Sequence, residues 1–413
     1  MTPQHEVRLA LAGCGVVGGG LVRLLHDARD EIASRFGVHF SVTSVLVRNP
    51  KKDRHVPVPN SLFTSDLNAF LATDADVVVE AIGGEEPAHT IAASALTRGR
   101  KFITANKELI AGAGDSLCRL ANESGTSLDF GAAVGASAPV ISTLRDLLGA
   151  SPPRAVRGIL NGTSNFVITE LERGTPLDLA LAAARERGLA EADCSKDLDG
   201  RDAAAKIAIT AWVAFGIAPS TLRVRRTSLL PQLPALVSTA TALGGRLRLI
   251  AECTRLDGDR VVASVEPVVV RAASGFARTT GEENRIEIDQ GWTAPLTVSG
   301  PGAGAEPTAA ALLSDLLRTS PPPNVRGSDG KVFLPVTDTR EHRWLLLAPT
   351  DVALQTLLTA RGVELERSWK EAENAGVVTT KIQWTRIEEL LQSTAADIAV
   401  ARVELSDAEV RVQ

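Results

Sequence analysis

Residues 7–36 constrain the fold most. VRLALA (7–12) is a short apolar run that ends in Gly13-Cys14-Gly15-Val16-Val17-Gly18, and a helical pattern follows from Gly19 to Phe36. A GxGxxG run with a strand before it and a helix after it is the dinucleotide-binding arrangement. Gly13 permits the tight turn, Gly15 lets backbone approach a pyrophosphate, and Gly18 lets the helix pack closely on its strand. The helix N-terminus, with Val16 and Val17, then faces the phosphates. A purely structural glycine turn explains these flanks less well.

FSVTSVLV (40–47) reads as the second strand, and Arg48-Asn49-Pro50-Lys51-Lys52 follows it. An acidic residue at that strand end would take the ribose hydroxyls of NAD, whereas an arginine accepts a 2′-phosphate. Arg48 therefore points to NADP, with NAD as the alternative and a solvated basic turn as the bland reading. DVVVEAI (76–82) is a further apolar strand, with Glu80 inside it, ending at Gly83-Gly84. A helix is expected over 87–98, then a strand KFIT (101–104) ending at Ala105-Asn106-Lys107. Open parallel sheets bind ligands at the carboxyl ends of their strands, so Gly83, Gly84, Asn106 and Lys107 join the cofactor candidates. Lys107 falls where a nicotinamide and its substrate would meet.

Gly112–Ser124 reads as a helix and Ser127–Phe130 as a short strand. GAAVGASAP (131–139) is poor core material and suits a crossover where backbone meets a ligand or an ion, so a domain boundary is expected there. Beyond it come a strand over 156–160, the run NGTSN (161–165), and helices over 166–173 and 178–187. GLAEADCSKDLDGRDAAAK (188–206) then runs into IAITAWVAFGI (207–217). From Asp202 to Ile217 only Asp202 and Lys206 are charged, so this helix is expected to be buried, with those two as an i,i+4 pair. A buried acid and amine are costly to desolvate unless they pair or act. Glu191, Asp193, Asp197 and Asp199 lead into the helix. Taken alone, the stretch fits a structural ion pair behind an acidic loop as well as it fits a substrate site.

A short helix is expected over 239–243 and strands over 246–254, 261–267, 284–288 and 296–299. The turn GPGAG (300–304) precedes a helix over 309–317. Ser320-Pro321-Pro322-Pro323 reads as a stiff linker. Residues 343–404 follow a β-α-β-β-α-β order, which is ferredoxin-like, and contain no cluster of catalytic groups, so they read as a regulatory or assembly module. A net charge of −5 with dispersed Lys and Arg gives no footprint for nucleic acid. No apolar run approaches the ~18 residues of a membrane span. The N-terminus enters a strand at once, so no signal peptide is expected. Four separated cysteines suggest reduced thiols. The expectation is a soluble, cytoplasmic protein acting on a small molecule.

Six motifs, taken in order, resemble the homoserine dehydrogenase family, which reduces L-aspartate 4-semialdehyde to L-homoserine. They are GCGVVGGG (13–20), VVVEAIGG (77–84), FITANKELIA (102–111), GILNGTSNF (158–166), the 188–206 stretch, and GPGAG with EPTAAALLSDLL (306–317). The resemblance implies that Lys107 and Lys206 flank the reacting oxygen, that Glu191 holds the substrate ammonium, and that Asp202 binds substrate and orients Lys206. Asp197 would support the same pocket. Such a lysine can stabilise the developing alkoxide and deliver its proton as hydride arrives. The choice between Lys107 and Lys206 for that transfer stays open, with Lys206 favoured by its more apolar neighbours.

The sequence also departs from the family pattern. Gly131 stands where members carry Glu, beside a monovalent cation (sodium or potassium) whose remaining ligands would be backbone carbonyls at Val134 and Ala136. Leu189 replaces a common Tyr. The turn LAPTDVAL lacks a glycine usual in ACT modules, so the C-terminal segment is ACT-like in element order alone.

The expected organisation is α/β. A Rossmann domain would span 1–131, with 300–319 packing back on it. An α+β catalytic and dimerisation domain with a mixed sheet would span 132–319, and a linker with the ACT-like module 320–413. A homodimer or higher homo-oligomer is expected. A related amino-acid aldehyde or keto-acid reductase, and a non-catalytic NADP or amino-acid sensor, stand as alternatives.

Overall fold

The computed structural model describes residues 5–147, 152–190, 194–302, 304–318, 333–350, 352–371, 374–394, 396–406 and 409–410. The chain divides into two compact units, each discontinuous in sequence. One draws on Met1–Pro152, Ala208–Leu222 and Gly300–Val332, the other on Pro153–Ile207, Arg223–Ser299 and Phe333–Gln413.

The first unit is built on six parallel strands. Their spatial order is Phe63–Thr64, Val38–Leu46, His5–Ala12, Val77–Glu80, Lys101–Thr104 and Leu128–Asp129. This 3-2-1-4-5-6 order reverses between His5–Ala12 and Val77–Glu80, and a doubly wound sheet opens its ligand crevice at that reversal. The central strands are apolar runs because both faces are covered. Leu9, Leu11, Val45, Val79 and Ile103 share a core with Leu21 of the first helix and with Ala309, Leu312 and Leu316 of the helix Ala305–Leu317.

The second unit carries a mixed sheet. Its path runs Leu296–Pro301, Glu283–Asp289, Ala155–Ile159, Gly245–Leu256, Arg260–Arg271, Ala399–Val403, Glu341–Pro349, Asn374–Thr379 and Leu365–Lys370. The long pair Gly245–Leu256 and Arg260–Arg271 is antiparallel over its whole length. Ala399–Val403 joins it in parallel, with Val268 opposite Arg402 and Val269 opposite Val403. The last four strands on the path pair antiparallel, and the helices Leu354–Thr359 and Trp384–Gln392 connect them. Trp344, Leu346, Leu358, Ile387 and Val400 fill the core beneath these helices. Among the described residues no helix is long and apolar enough to cross a membrane.

Several helices start earlier than apolar periodicity predicts. The one expected from Gly112 begins at Lys107, and the one expected from Phe166 begins at Gly162. In both cases an asparagine caps the first turn: Asn106 accepts from Glu108 N and Leu109 N, and Asn161 accepts from Ser164 N. The capping amide sets the boundary, and two glycines inside the first helix do not override it. The helix expected over 239–243 spans Leu233–Ala242, with proline in its first turn. The 19–36 pattern is two helices, Val16–Asp27 and Arg29–Phe36.

Candidate functional site

The glycine loop is shaped as its spacing requires. Gly13 has φ +95°, and a Cβ there would lie 2.6 Å from the Ala81 carbonyl oxygen. A Cβ on Gly18 would collide with the Gly13 carbonyl oxygen, so the first helix can sit this close to its strand only with glycine. Gly15 caps the helix Val16–Asp27 without a side chain, which leaves its first-turn N–H groups and its positive end facing the crevice.

A cavity of about 1020 Å³ opens there, lined by Gly13, Gly15, Val16, Arg48 and Gly83 among others. Val17 and Gly18 carry the helix behind it. Arg23, Lys52 and Arg54 also line this cavity, and sequence reasoning had not singled them out. Arg54 is the best anchored. It donates to Lys52 O at 2.7 Å and Asn49 O at 2.9 Å, and its guanidinium lies 5.3 Å from the Phe63 ring centroid. Burial pushes the Cys14 thiol up, against the pull of Arg54 and Arg23. The clue in the sequence was the whole basic run 48–55 and not its first residue.

A buried network fixes the neighbouring strand ends. Glu80 accepts from Ile82 N at 2.6 Å, from Gly83 N at 3.0 Å and from Thr104 Oγ1 at 2.5 Å. Thr104 Oγ1 in turn accepts from Asn106 N, and Asn106 Nδ2 donates to Gly84 O at 2.6 Å. Glu80 thus ties two strands together through their loops. Lys107, half-buried, is the first residue of the helix that Asn106 caps.

The 131–139 run begins with a short 3-10 turn, Gly131–Ala133, and Ala136 lies in the left-handed region at φ +48°. Asp315, from the helix Ala305–Leu317, fills the space beside Gly131: a Cβ there would lie 2.7 Å from its Oδ1. Ala132 N donates to Asp315 Oδ2 at 3.3 Å. Burial, then the charge of Asp129, push the Asp315 carboxyl up to about 6. Asp129 itself pairs with Arg145 at 2.9 Å and Lys101 at 3.3 Å.

The second unit holds a polar cluster at the start of the helix Arg201–Phe215. Lys206 Nζ lies 2.8 Å from Asp202 Oδ2, and their side chains are 12% and 11% exposed. Lys206 Nζ also donates to Leu160 O at 2.9 Å. Asn161 Nδ2 donates to Asp197 Oδ1 at 2.7 Å and to Asp202 Oδ2 at 2.9 Å. Asp197, Asp202 and Lys206 therefore meet, joined by Asn161, which the sequence had offered only as a strand end. Leu189 contributes its carbonyl, which accepts from Thr163 Oγ1 at 2.6 Å. Glu191 lies outside the described residues. Lys107 belongs to the first unit and Lys206 to the second.

Comparison with known proteins gives the same picture over most of the length. The family model for the homoserine dehydrogenase NAD binding domain matches residues 13–130, and that for homoserine dehydrogenase matches 139–317. A homoserine dehydrogenase of Mycobacterium leprae is 36% identical over 320 residues, 76% of this chain and 72% of the relative. The crystal structure of a homoserine dehydrogenase from Thiobacillus denitrificans matches with a TM-score of 0.85 at 26% identity, covering 97% of this chain and 98% of that one. A hyperthermophilic archaeal homoserine dehydrogenase in complex with NADPH shares the fold, with a TM-score of 0.62 at 24% identity over 76% of this chain and 97% of its own.

Proposed function

The chain belongs to the homoserine dehydrogenase family, and on that premise we propose how its residues divide the family's reaction between them. The enzyme is an NAD(P)-dependent oxidoreductase that interconverts L-aspartate 4-semialdehyde and L-homoserine in aspartate-family amino-acid biosynthesis. Its crevice takes a nicotinamide dinucleotide.

The preferred form is NADP. Arg48 reads the 2′-phosphate, and Arg23, Lys52 and Arg54 make the surrounding cavity basic. Gly13, Gly15, Val16, Val17 and Gly18 receive the pyrophosphate, and Gly83, Gly84 and Asn106 frame the strand ends nearer the nicotinamide. The bound cofactor supplies the hydride. Glu191 holds the substrate ammonium, with Asp197 supporting the pocket. Lys206, oriented by Asp202, gives its proton to the carbonyl oxygen as hydride reaches carbon, and takes the proton back in the oxidative direction. Lys107 stabilises the same oxygen. The observation that carries this reading is the largely buried ammonium of Lys206, held at 2.8 Å by Asp202 and at 2.9 Å by Leu160 O.

Backbone carbonyls of Val134 and Ala136 would hold a sodium or potassium ion. The buried Asp315 carboxylate beside Gly131 fits a cation near that loop. The C-terminal β-α-β-β-α-β segment serves as an ACT-like regulatory module, and the enzyme works as a cytoplasmic homodimer or higher homo-oligomer. The test is an NADP-linked assay of the purified protein with L-homoserine beside other amino alcohols. Homoserine is expected to turn over fastest; a better rate on another amino alcohol would sink the substrate assignment.

A further inference from the structure

We propose that Asn161 is a positioning residue for the reaction, whose carboxamide fixes the two carboxylates of the site and, through Asp202, the ammonium of Lys206. The proposal rests on the reading that Lys206 and Asp202 act at the reacting end of the substrate.

Asn161 is 4% exposed, and its side chain makes three hydrogen bonds. Oδ1 accepts from Ser164 N at 2.7 Å, which caps the helix Gly162–Glu172. That bond fixes the plane of the amide and turns Nδ2 the other way. A primary amide has two N–H donors. One goes to Asp197 Oδ1 at 2.7 Å and the other to Asp202 Oδ2 at 2.9 Å. Asp202 Oδ2 also faces Lys206 Nζ at 2.8 Å, and the carbonyl of Leu160, one residue before Asn161, accepts from the same ammonium at 2.9 Å. Residues 160 and 161 therefore hold both halves of the ion pair, one by backbone and one by side chain.

The arrangement has an electrostatic consequence. Two carboxylates within reach of one nitrogen repel, and like charges at that spacing raise each other's proton affinity. Two N–H donors between them favour the ionised form of both. No other side chain does this while capping the helix. Aspartate caps but has no donor when ionised. Serine caps but has a single donor on a shorter stem. Glutamine has the donors but is one methylene too long.

Those differences separate positioning from capping. Asn161→Ser and Asn161→Asp both keep a helix cap, so a residue that only caps tolerates them. Positioning predicts that Asn161→Ser still folds and keeps its NADP affinity but loses about 10–100-fold in kcat, the scale expected when reacting groups move by a fraction of an ångström to about 1 Å. It also predicts that the acid limb of the kcat profile moves to higher pH. Asn161→Asp regains a donor only when protonated, so its optimum moves to lower pH than that of Asn161→Ser. Wild-type kcat, KM and pH profile in either folded variant would overturn the proposal. Should Asn161→Ser fail to fold, the profile of Asn161→Asp alone decides. Lys206→Met separates the two levels: a wild-type rate there removes the underlying reading. An inactive Lys206→Met beside an unaffected Asn161→Ser removes only the role of Asn161.

Discussion

Two buried ionic clusters in the second unit are built from different chemistry. At the head of the helix Arg201–Phe215, a single lysine faces Asp202, with Asp197 and an amide close by. In the sheet, arginines surround Glu252 and Glu266. Arg402 reaches both carboxylates at 3.0 Å, Arg157 and Arg340 lie 2.9 and 3.0 Å from Glu252, and Arg225 lies 2.5 Å from Glu266. Burial would raise the Glu252 carboxyl, but Arg402, Arg157 and Arg340 outweigh it and hold it well below the usual range. Burial likewise works against the charge of Arg402, and Glu252, Glu266 and Glu404 overcome it. A guanidinium does not release its proton at any pH the fold meets, whereas an ammonium can. The arginine cluster is a fixed frame. The lysine cluster is built on the other kind of cation.

The comparison can be broken at either end. The largest effect is expected at Lys206. Lys206→Met should lower kcat by about 10²–10⁴-fold while the folded variant still binds cofactor near wild-type affinity, with some loss of melting temperature because Asp202 loses its ammonium partner. Lys206→Arg should not restore the rate, although it keeps the charge; a turnover near wild type in the arginine variant would mean that the proton of residue 206 is not used. Next comes Arg402→Met, which leaves two buried carboxylates short of a partner and should cost about 3–5 kcal/mol in urea unfolding. A loss below about 1 kcal/mol would show that the remaining arginines suffice.

A smaller, conditional effect is expected at His342, beside the frame. Burial, then Arg402 and Arg340, push its imidazole down to about 4. The unfolded chain therefore binds a proton near pH 6.5 that the folded chain refuses until about 4. Stability from this group is complete above 6.5 and is lost as the pH falls through that window, approaching about 3 kcal/mol below pH 4. His342→Gln should flatten the acid limb of the melting curve relative to wild type, and identical limbs would remove His342 from the acid response. The smallest effect is at Arg48, an exposed arginine. Arg48→Ala should weaken NADP about tenfold and NAD little, at the cost of one charge-assisted bond. Equal weakening of both would show that Arg48 does not read the phosphate.

What the sequence made legible follows the range of the interactions. The glycine loop, the strand ends at Gly83 and Asn106, and the Asp202–Lys206 pair depend on near neighbours, so spacing revealed them. Asn161 was in view as the end of a strand, but its bonds to Asp197 and Asp202 cross 36 and 41 residues and depend on tertiary packing against the helices Ser195–Leu198 and Arg201–Phe215. Arg54 was overlooked because its anchors are main-chain carbonyls, which carry no side-chain signature. The arginine frame was hidden for another reason. Glu252 and Arg402 are 150 residues apart; Arg402 sits inside an otherwise apolar strand that reads as plain core, and Glu252 sits in a strand that already carries three arginines. Strand register, which brings Val268 opposite Arg402, is a property of pairing and leaves no mark on either strand alone.

The parallel pairing at Val268 and Arg402 also bears on how this gene product could be cut or fused. A fragment ending at the proline run 321–323 would keep the glycine loop and every residue proposed for the reaction, among them Lys107, Glu191, Asp202 and Lys206. It would lack Arg340 and Arg402, and with them three of the five guanidinium contacts that neutralise Glu252 and Glu266. The tail is therefore a keystone in the masonry sense: set last, it bears on stones laid long before it. An engineer altering this segment would do better to change its outer face than to remove it.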